Sequence, residues 1–422
     1  MERKKVFEGV KILEFAWAIV GPASSRYLAD HGATVVKVES HKRLDVIRTT
    51  SPFAGGKPGV DSSMLFGKYN PNKYCVSLDL NHPRGRELAL RLIGWADIVT
   101  ESFSPRMMKR WGLDYESVRK VKPDIIYMSS SMQGNDGPHA SFAGYGYNAC
   151  ALSGFTELSG FTELSGWPDR VPASPFAYTD FICPSVNAMA LVAALEYRRR
   201  TGKGQWIEQS QFEAAVQFLA PLVMDYQVNG RVAGRHGNRL PDAAPHGVFP
   251  CQGDDYWVAI SIFTDEEWRA FGEAIGGPPW TKDEKFTNLA GRKDNEEELE
   301  TRVAEWTINH TPGQVEGILQ AAGIAANMVA KCSDTFEDPQ LEYRHHFVRV
   351  DHPVMGQPAY EQQACYIMSK TPREIVMPSP CLGEHNEYVF KELLKMGDEE
   401  IAGYIIDGSI TTQLPESFRA NV

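Results

Sequence analysis

Long apolar stretches are missing from this chain: its 422 residues contain no run of 18 hydrophobic ones, so no membrane-crossing helix is expected. Residues 1–8 (MERKKVFE) carry charge, no apolar region follows them, and no secretory signal is expected. An excess of positive charge is missing too. Lys and Arg number 43 against 54 Asp and Glu, and the net charge of −11 argues against nucleic-acid binding as a bulk property. An anionic ligand must therefore find a local basic patch. Paired cysteines are also absent: Cys75, Cys150, Cys183, Cys251, Cys332, Cys365 and Cys381 are scattered, odd in number and free of C-x-x-C spacing. That pattern fits reduced thiols in a cytoplasm and speaks against a disulfide framework or a zinc site. The 11 histidines show no metal-ligand spacing, and His345, His346 and His352 read as surface residues. A soluble cytoplasmic protein without a metal is the expectation.

What is present is ordinary globular composition, 43% hydrophobic and 23% charged, and at this length it predicts two or three domains. Val10–Phe15 and the β-branched run Ala33–Glu39 read as strands. Between them Gly21-Pro22 opens a helix that ends at Asp30-His31-Gly32, with glycine in the helix-terminating place. The alternation recurs, with helices expected at Gly85–Ala96 and Glu116–Lys120 and strands at Asp97–Glu101 and Asp124–Met128. Strands alternating with helices predict an open α/β sheet of parallel strands and right-handed crossovers. The first turn, Ala16–Pro22, has one glycine where a dinucleotide fingerprint needs three, so the Rossmann-like pattern stands without the cofactor. Gly202-Lys203-Gly204 follows a helix and leads into a strand-like run, so it reads as a turn and not a phosphate loop.

Character changes after about residue 225. A loop-rich stretch precedes a hairpin-like pair, Gly247–Pro250 and Tyr256–Ile262, then polar helices at Asp265–Ile275 and Asn295–Asn309. The expected divisions are 1–225, a first part of a large domain; 226–337, a smaller α/β domain; and 338–422, a return to the large domain. Residues 154–159 and 160–165 are a tandem copy, GFTELS–GFTELS. The copy reads as a tolerated surface-loop duplication or as a way to bring Glu157 or Glu163 to the rim of a site.

Asp180 is the residue with the most chemical promise. It lies in Ser174–Pro184, beside a helix expected over Ser185–Arg200, between Tyr178 and Phe181 and near two prolines. The segment supports two readings. Asp is a favoured helix cap. A carboxylate held by restricted backbone among aromatics also suits a nucleophile.

Several stretches in order resemble the class III CoA-transferases, the family of formyl-CoA transferase, carnitine CoA-transferase and the α-methylacyl-CoA racemases. They are Gly9-Val-Lys-Ile-Leu-Glu with Gly21-Pro22, Leu28–Glu39, Asn72-Lys73 leading to Leu78-Asp79-Leu80, and Glu101-Ser-Phe103. Arg110-Trp-Gly-Leu-Asp-Tyr115, Gly137-Pro138, Thr201-Gly-Lys-Gly-Gln205 and Leu382-Gly-Glu-His385 come after them. The resemblance covers nearly the whole chain, and its specificity lies in the combination. It implies a Rossmann-like large domain with an open parallel sheet built from both chain ends, a smaller central α/β domain, and two chains interlocked as a dimer. It places the nucleophilic aspartate on Asp180.

The implied chemistry is covalent. Asp180 attacks an acyl-CoA thioester, passes through an anhydride and an aspartyl-CoA thioester, and hands CoA to a free acid. Coenzyme A is then a substrate thioester, with no permanently bound cofactor. Positions matching family CoA contacts are Ala18, Ile19, Val20, Leu78, Phe103 and Arg110. Backbone N–H groups of Met132-Gln133-Gly134 and of Ala244–Gly247, with His246, are candidates for stabilising oxyanions. This chain departs from the family in lacking a glycine-run lid, in having Ser40 where an arginine is common, and in having Asn81 where a lysine is. Lys42 and Arg43 lie near enough to take over phosphate contacts or to be a solvated loop. The stretches Ala177–Ile182, Asp225–Arg231 and Ala243–Cys251 are similar to the branch of benzylsuccinate CoA-transferases, which implies succinyl-CoA as donor and an aromatic dicarboxylic acid as acceptor. Trp17, Tyr145, Tyr147, Phe176 and Tyr178 would suit an aryl group, and stripes of this kind also build cores. Two alternatives stay open. One is a racemase of the same fold, which needs a histidine where Gly144-Tyr145-Gly146 has tyrosine. The other is the supporting subunit of a heteromer, so partners are a homodimer or a related chain, with acyl-CoA and acid as ligands.

Overall fold

The computed structural model describes residues 5–142, 144–158 and 176–414. The chain divides into two compact units. The first takes its described residues from Met1–Ser153, Phe176–Phe218 and Glu342–Val422; the second takes them from 154–158 and Leu219–Leu341.

The first unit is built on β1 (Lys11–Glu14), α1 (Val20–Ala29), β2 (Thr34–Glu39), a short α2 (Met64–Tyr69), β3 (Lys73–Ser77), α3 (Pro83–Trp95) and β4 (Ile98–Glu101). It continues with α4 (Pro105–Trp111), α5 (Tyr115–Val121), β5 (Ile126–Ser131) and α6 (Gly146–Ser153). After a single turn of the second unit, α7 (Phe155–Leu158), come α8 (Thr179–Thr201), β6 (Gln205–Ser210) and α9 (Gln211–Phe218). All six strands are parallel, in the order β3-β2-β1-β4-β5-β6. Sequence order reverses between β1 and β4, and this opens a crevice beyond the carboxyl ends of those strands.

Strand alternation decides which face each residue serves. Leu13, Val36, Val76 and Val99 point to one face, against Leu88 and Leu92 of α3 and Val118 of α5. Ile12, Val35, Ile98 and Ile126 point to the other, against Leu28 of α1 and Leu191 and Ala194 of α8. Full burial of each such side chain stabilises by roughly 1.5–3 kcal/mol. The apolar runs at 10–15 and 33–39 are strands because both faces of the sheet are covered.

The charges inside those runs are buried as well. Glu14 accepts from Lys37 Nζ at 3.2 Å and Lys73 Nζ at 3.0 Å, and also from Ser25 Oγ. Burial pushes the Glu14 carboxyl up, but Lys73, Lys37 and Ser25 together bring it below its usual value. Lys37 also donates to the Ala16 carbonyl at 2.7 Å and Lys73 to the Pro22 carbonyl at 2.8 Å. The network pins both ends of the first turn. Loss of one partner of such a buried pair costs about 3–5 kcal/mol.

The C-terminal return joins the first unit without adding strands to its sheet. Its strands, β10 (Phe347–Arg349) and β11 (Ala359–Glu361), pair antiparallel with each other, so the sheet itself comes wholly from residues before 211. An isolated bridge joins Leu78 to Ile410. Val389, Phe390, Tyr404 and Ile410 complete the core over α3. His352, expected at the surface, is buried; its Nδ1 accepts from the N–H groups of Val354 and Met355 at 3.0 Å each.

The second unit is antiparallel. Its sheet runs β7 (His246–Pro250), β8 (Trp257–Ser261), β9 (Ala325–Met328) in that spatial order. Trp268, Phe271, Phe286, Leu299, Val303, Val315 and Leu319 fill its core. Its helices carry strong local start signals. Thr264 and Thr311 cap their helices, each with a reciprocal bond from Glu267 or Gln314, the device worth about 1 kcal/mol apiece. Of the duplicated GFTELS segment, 154–158 includes α7, and Glu157 pairs with Arg235 at 2.7 Å; Glu163 lies outside the described residues.

Candidate active site

The crevice predicted by the strand order is a cavity of about 810 Å³. Its floor is made by the turns that leave the strands: Trp17–Val20 after β1, Ser40, Lys42 and Arg43 after β2, Leu78–Asn81 after β3, Ser102–Pro105 after β4, and Ser131–Gln133 at the end of β5. Ala18, Ile19, Val20, Leu78, Phe103, Arg110, Gln133 and Asp180 all line it. His246 does not; it opens β7 in the second unit, with Nδ1 bonded to the Asn238 carbonyl.

The first turn is held by hydrogen bonds that no local sequence signal announces. Ala18 adopts a left-handed φ of 59°, and its N–H donates to Asp45 at 3.0 Å. Trp17 N–H donates to Ser102 Oγ at 3.0 Å, tying the turn after β1 to the turn after β4. Gly21 is obligatory for a separate reason: a Cβ there would lie 2.2 Å from that of Ala16. One glycine thus serves close helix–strand packing, where the dinucleotide motif would use three. Trp17, Phe103 and Trp111 stack edge to face at 5.1 and 5.4 Å, and form an aromatic wall. Glu101 accepts from the Phe103 N–H at 2.9 Å; burial pushes this carboxyl up to about 7.

Three cations serve the cavity. Lys42 is paired with Asp79 at 2.7 Å, Arg43 lies 5.8 Å over the Trp17 ring, and Arg110 closes the last turn of α4. Neither Arg43 nor Arg110 has an ion-pair partner among the described residues. Helix starts at Val20 and Pro105 add N–H groups to the same floor, an arrangement that favours anions.

Helix α8 begins six residues earlier than expected, so Asp180 sits inside its first turn. The N-cap is Tyr178, and no side chain caps the helix, so Asp180 is not engaged in capping. Pro184 lacks the N–H that would have bonded the Asp180 carbonyl one turn back. The Asp180 carboxylate has no hydrogen bond or ion pair among the described residues, and it is 8% exposed. Burial alone pushes it up to about 7. Desolvation of this kind disfavours the charged form and leaves it less stabilised by water than a solvated carboxylate.

Gly146 explains its placement. A Cβ at 146 would lie 2.7 Å from both Cγ and Oδ1 of Asp180 and 2.8 Å from the Ala177 Cβ. The carboxylate therefore rests on a glycine Cα. Thr179 Oγ1 donates to the Gly146 carbonyl at 3.2 Å and to Gln211 Oε1 at 3.1 Å, which locks the two segments together. The donors of the 132–134 loop divide unevenly. Gly134 N–H is taken by Ser131 Oγ at 3.0 Å, whereas the buried side-chain Nε2 of Gln133 has no partner among the described residues.

A second cavity, of about 220 Å³, also has Asp180 in its wall, with Lys68, Tyr69, Phe181, His346 and Glu361. Nothing in the sequence pattern singled out Lys68, Tyr69 or Glu361. They are brought together by α2 and by β11, which lie far apart in the chain.

Comparison with known proteins bears on the family and the fold. The model of CoA-transferase family III matches residues 7–386. The probable CoA-transferase Rv1866 of Mycobacterium tuberculosis is 33% identical over 93% of this chain, which spans about half (49%) of that relative's length. A succinyl-CoA–D-citramalate CoA-transferase of Chloroflexus aurantiacus is 28% identical over 94% of this chain and 96% of its own. Among solved structures, a CAIB/BAIF family protein from Brucella suis superposes with a TM-score of 0.83 at 29% identity, over 92% of this chain and 100% of that one.

Proposed function

The chain belongs to CoA-transferase family III, and we propose that it moves coenzyme A from an acyl-CoA, with succinyl-CoA as the donor, to a free carboxylic acid through Asp180. The observation that carries this reading is the mostly buried carboxylate of Asp180, without a partner among the described residues, in the wall of a cavity whose Arg43 and Arg110 likewise have no ion-pair partner among them.

Asp180 attacks the donor carbonyl; the C–S bond breaks, CoA leaves as thiolate, and an acyl–aspartyl anhydride forms. The thiolate then attacks the aspartyl carbonyl, the donor acid departs as carboxylate, and an aspartyl-CoA thioester remains. An acceptor carboxylate reverses the sequence: it displaces thiolate to form a new anhydride, and the thiolate takes the acceptor's acyl carbon and restores Asp180. An aspartyl group suits the task because its thioester and anhydride are about as activated as those of the substrates. Each step passes an oxyanion, and the free amide of Gln133 is a donor for it. The aromatic wall keeps water from intermediates that would hydrolyse. Arg43 and Arg110, with Lys42, take the phosphates of CoA, and Ala18, Ile19, Val20, Leu78 and Phe103 line its path.

An aromatic dicarboxylate of the benzylsuccinate kind is the acceptor that the branch resemblance suggests, and Trp17 and Tyr145 offer it aromatic surface. Tyr145 also disfavours racemisation, since a phenol stands where that chemistry needs a base that titrates near neutrality. A partner chain fits α10 (Ala220–Asn229), none of whose residues is buried and which shows Met224, Tyr226 and Val228 to solvent; native mass measurement distinguishes an interlocked homodimer from a heteromer.

The test is to incubate the protein with succinyl-CoA and a panel of acids, and to trap with hydroxylamine. Transfer with a label on Asp180 supports the reading; transfer without any label on Asp180 removes the covalent route.

A further inference from the structure

Asp180 divides its exposure between two cavities, and the smaller one holds an unusual set of groups. Tyr69 is 3% exposed, and its buried hydroxyl has no hydrogen-bond partner among the described residues. Leaving such a donor unmade costs about 1–3 kcal/mol, so an orphan hydroxyl beside a cavity points to a ligand oxygen. Burial pushes the Tyr69 phenol up, with the charges of Glu361 and Asp180 adding to it, so it is a donor at any physiological pH. Its neighbour Lys68 places Nζ 5.4 Å from the Tyr69 ring and 5.9 Å from the Phe181 ring, and 2.8 Å from Glu361 Oε1. One ammonium with three donors has capacity left after a single carboxylate.

We propose that this second cavity is the subsite for the far carboxylate of a dicarboxylic acid, held by Lys68 Nζ and Tyr69 Oη while the near carboxylate or acyl group meets Asp180. The inference rests on the CoA-transfer reading and deepens it by naming what selects the acid. The volume of 220 Å³ admits a short-chain diacid. Phe181 and Pro184, which also line the cavity, give its methylene groups an apolar side. Glu361 competes with the ligand for Lys68 and so sets how strongly a diacid binds. A monocarboxylic acid of the same length would leave Tyr69 unpaired and Lys68 unaltered, and so would gain nothing from the subsite.

The experiment uses isotopically labelled succinate and butyrate as acids with succinyl-CoA as donor, following label into succinyl-CoA and the appearance of butyryl-CoA. The expected result is a strong preference of the wild-type protein for succinate. That preference falls about 30-fold in Lys68→Met and about fivefold in Tyr69→Phe, and it rises in Glu361→Gln, where the ammonium is released. Lys68→Met and Glu361→Gln break the same ion pair, so a merely structural role would move both in one direction. Equal use of the two acids by the wild-type protein, or parallel changes in the two charge variants, would overturn the subsite. The underlying reading is checked apart from it by hydroxylamine trapping in the wild-type protein: label on Asp180 together with an unchanged acid preference in the variants sinks the subsite only, and active transfer with no label sinks the covalent reading.

Discussion

The two cavities that meet at Asp180 are built on different principles. The larger is formed by consecutive βα turns at the carboxyl ends of five parallel strands, and its arginines have no ion-pair partner among the described residues. The smaller is formed by segments distant in sequence, its lysine is already paired, and its free donor is a phenol. The first is what the parallel sheet makes whenever strand order reverses; the second exists only because a C-terminal hairpin carries Glu361 to the end of a short helix. A site of the first kind suits a large ligand common to many proteins of one fold. A site of the second kind can differ from one protein to the next without disturbing the sheet, which is where selection among acids is best placed.

The comparison breaks first at the shared wall. Asp180→Ala is expected to lower kcat at least ~10³-fold while CoA-ester affinity is kept, because the nucleophile goes and the cavity stays. Stopped-flow and binding measurements on the same variant decide it; near wild-type turnover would refute the assignment. Next comes Gly146→Ala. The new methyl cannot coexist with the carboxylate at 2.7 Å, so Asp180 must move, and a displacement near 1 Å costs about 10²-fold in kcat with little change in either KM. An unaffected kcat would show that the carboxylate does not need that seat.

The cavities are then separated by their cations. Arg110→Ala is expected to raise KM for the CoA ester roughly tenfold, with a weaker salt dependence and no change in acid preference. A shift in acid preference from this variant would merge the two sites into one.

The smallest effects concern protons. Asp180 must be ionised to attack, so kcat/KM should rise with pH through about 7, where burial has pushed its carboxyl. The stability consequence has the opposite slope. The folded protein holds this proton more tightly than the unfolded chain, whose carboxyl sits near 3.8. The stability contribution is therefore full below pH 3.8 and is lost as pH rises through about 7. Asp180→Asn should accordingly be more stable than wild type at pH 8, on the order of 2 kcal/mol, and equal to it near pH 4. Thermal melts at the two pH values measure the difference; a destabilised Asp180→Asn at pH 8 would mean that the carboxylate is needed for the fold.

Much of the larger cavity could be read from the residues alone. Val10–Phe15, Gly21, Gly32 and Ala33–Glu39 fix a strand–helix–strand unit, because β-branched runs, a helix-ending glycine and period-two burial act over a few residues. The turns that leave such strands gather at one edge of a parallel sheet, and it was the family resemblance, not local pattern, that pointed to Ala18, Leu78, Phe103 and Arg110 within or just after them. Local signals misplaced the start of α8, since Pro184 suggested a boundary that packing of α8 on α1 and α9 overrode. They also missed His352, whose burial depends on a turn that it itself bonds.

The chain's residues by themselves determined its α/β alternation, which rests on short-range pattern, and its family and the candidacy of Asp180, which rest on many short stretches met in one order along the chain. Only the tertiary structure decided that the carboxylate lies against Gly146, that it and the donors of Gln133 and Tyr69 find no hydrogen-bond partner among the described residues, and that Lys68 and Glu361 meet beside it. Those facts depend on which distant segments share a volume, and burial, which sets both the reactivity and the cost of these groups, is a property of that volume and of no residue alone.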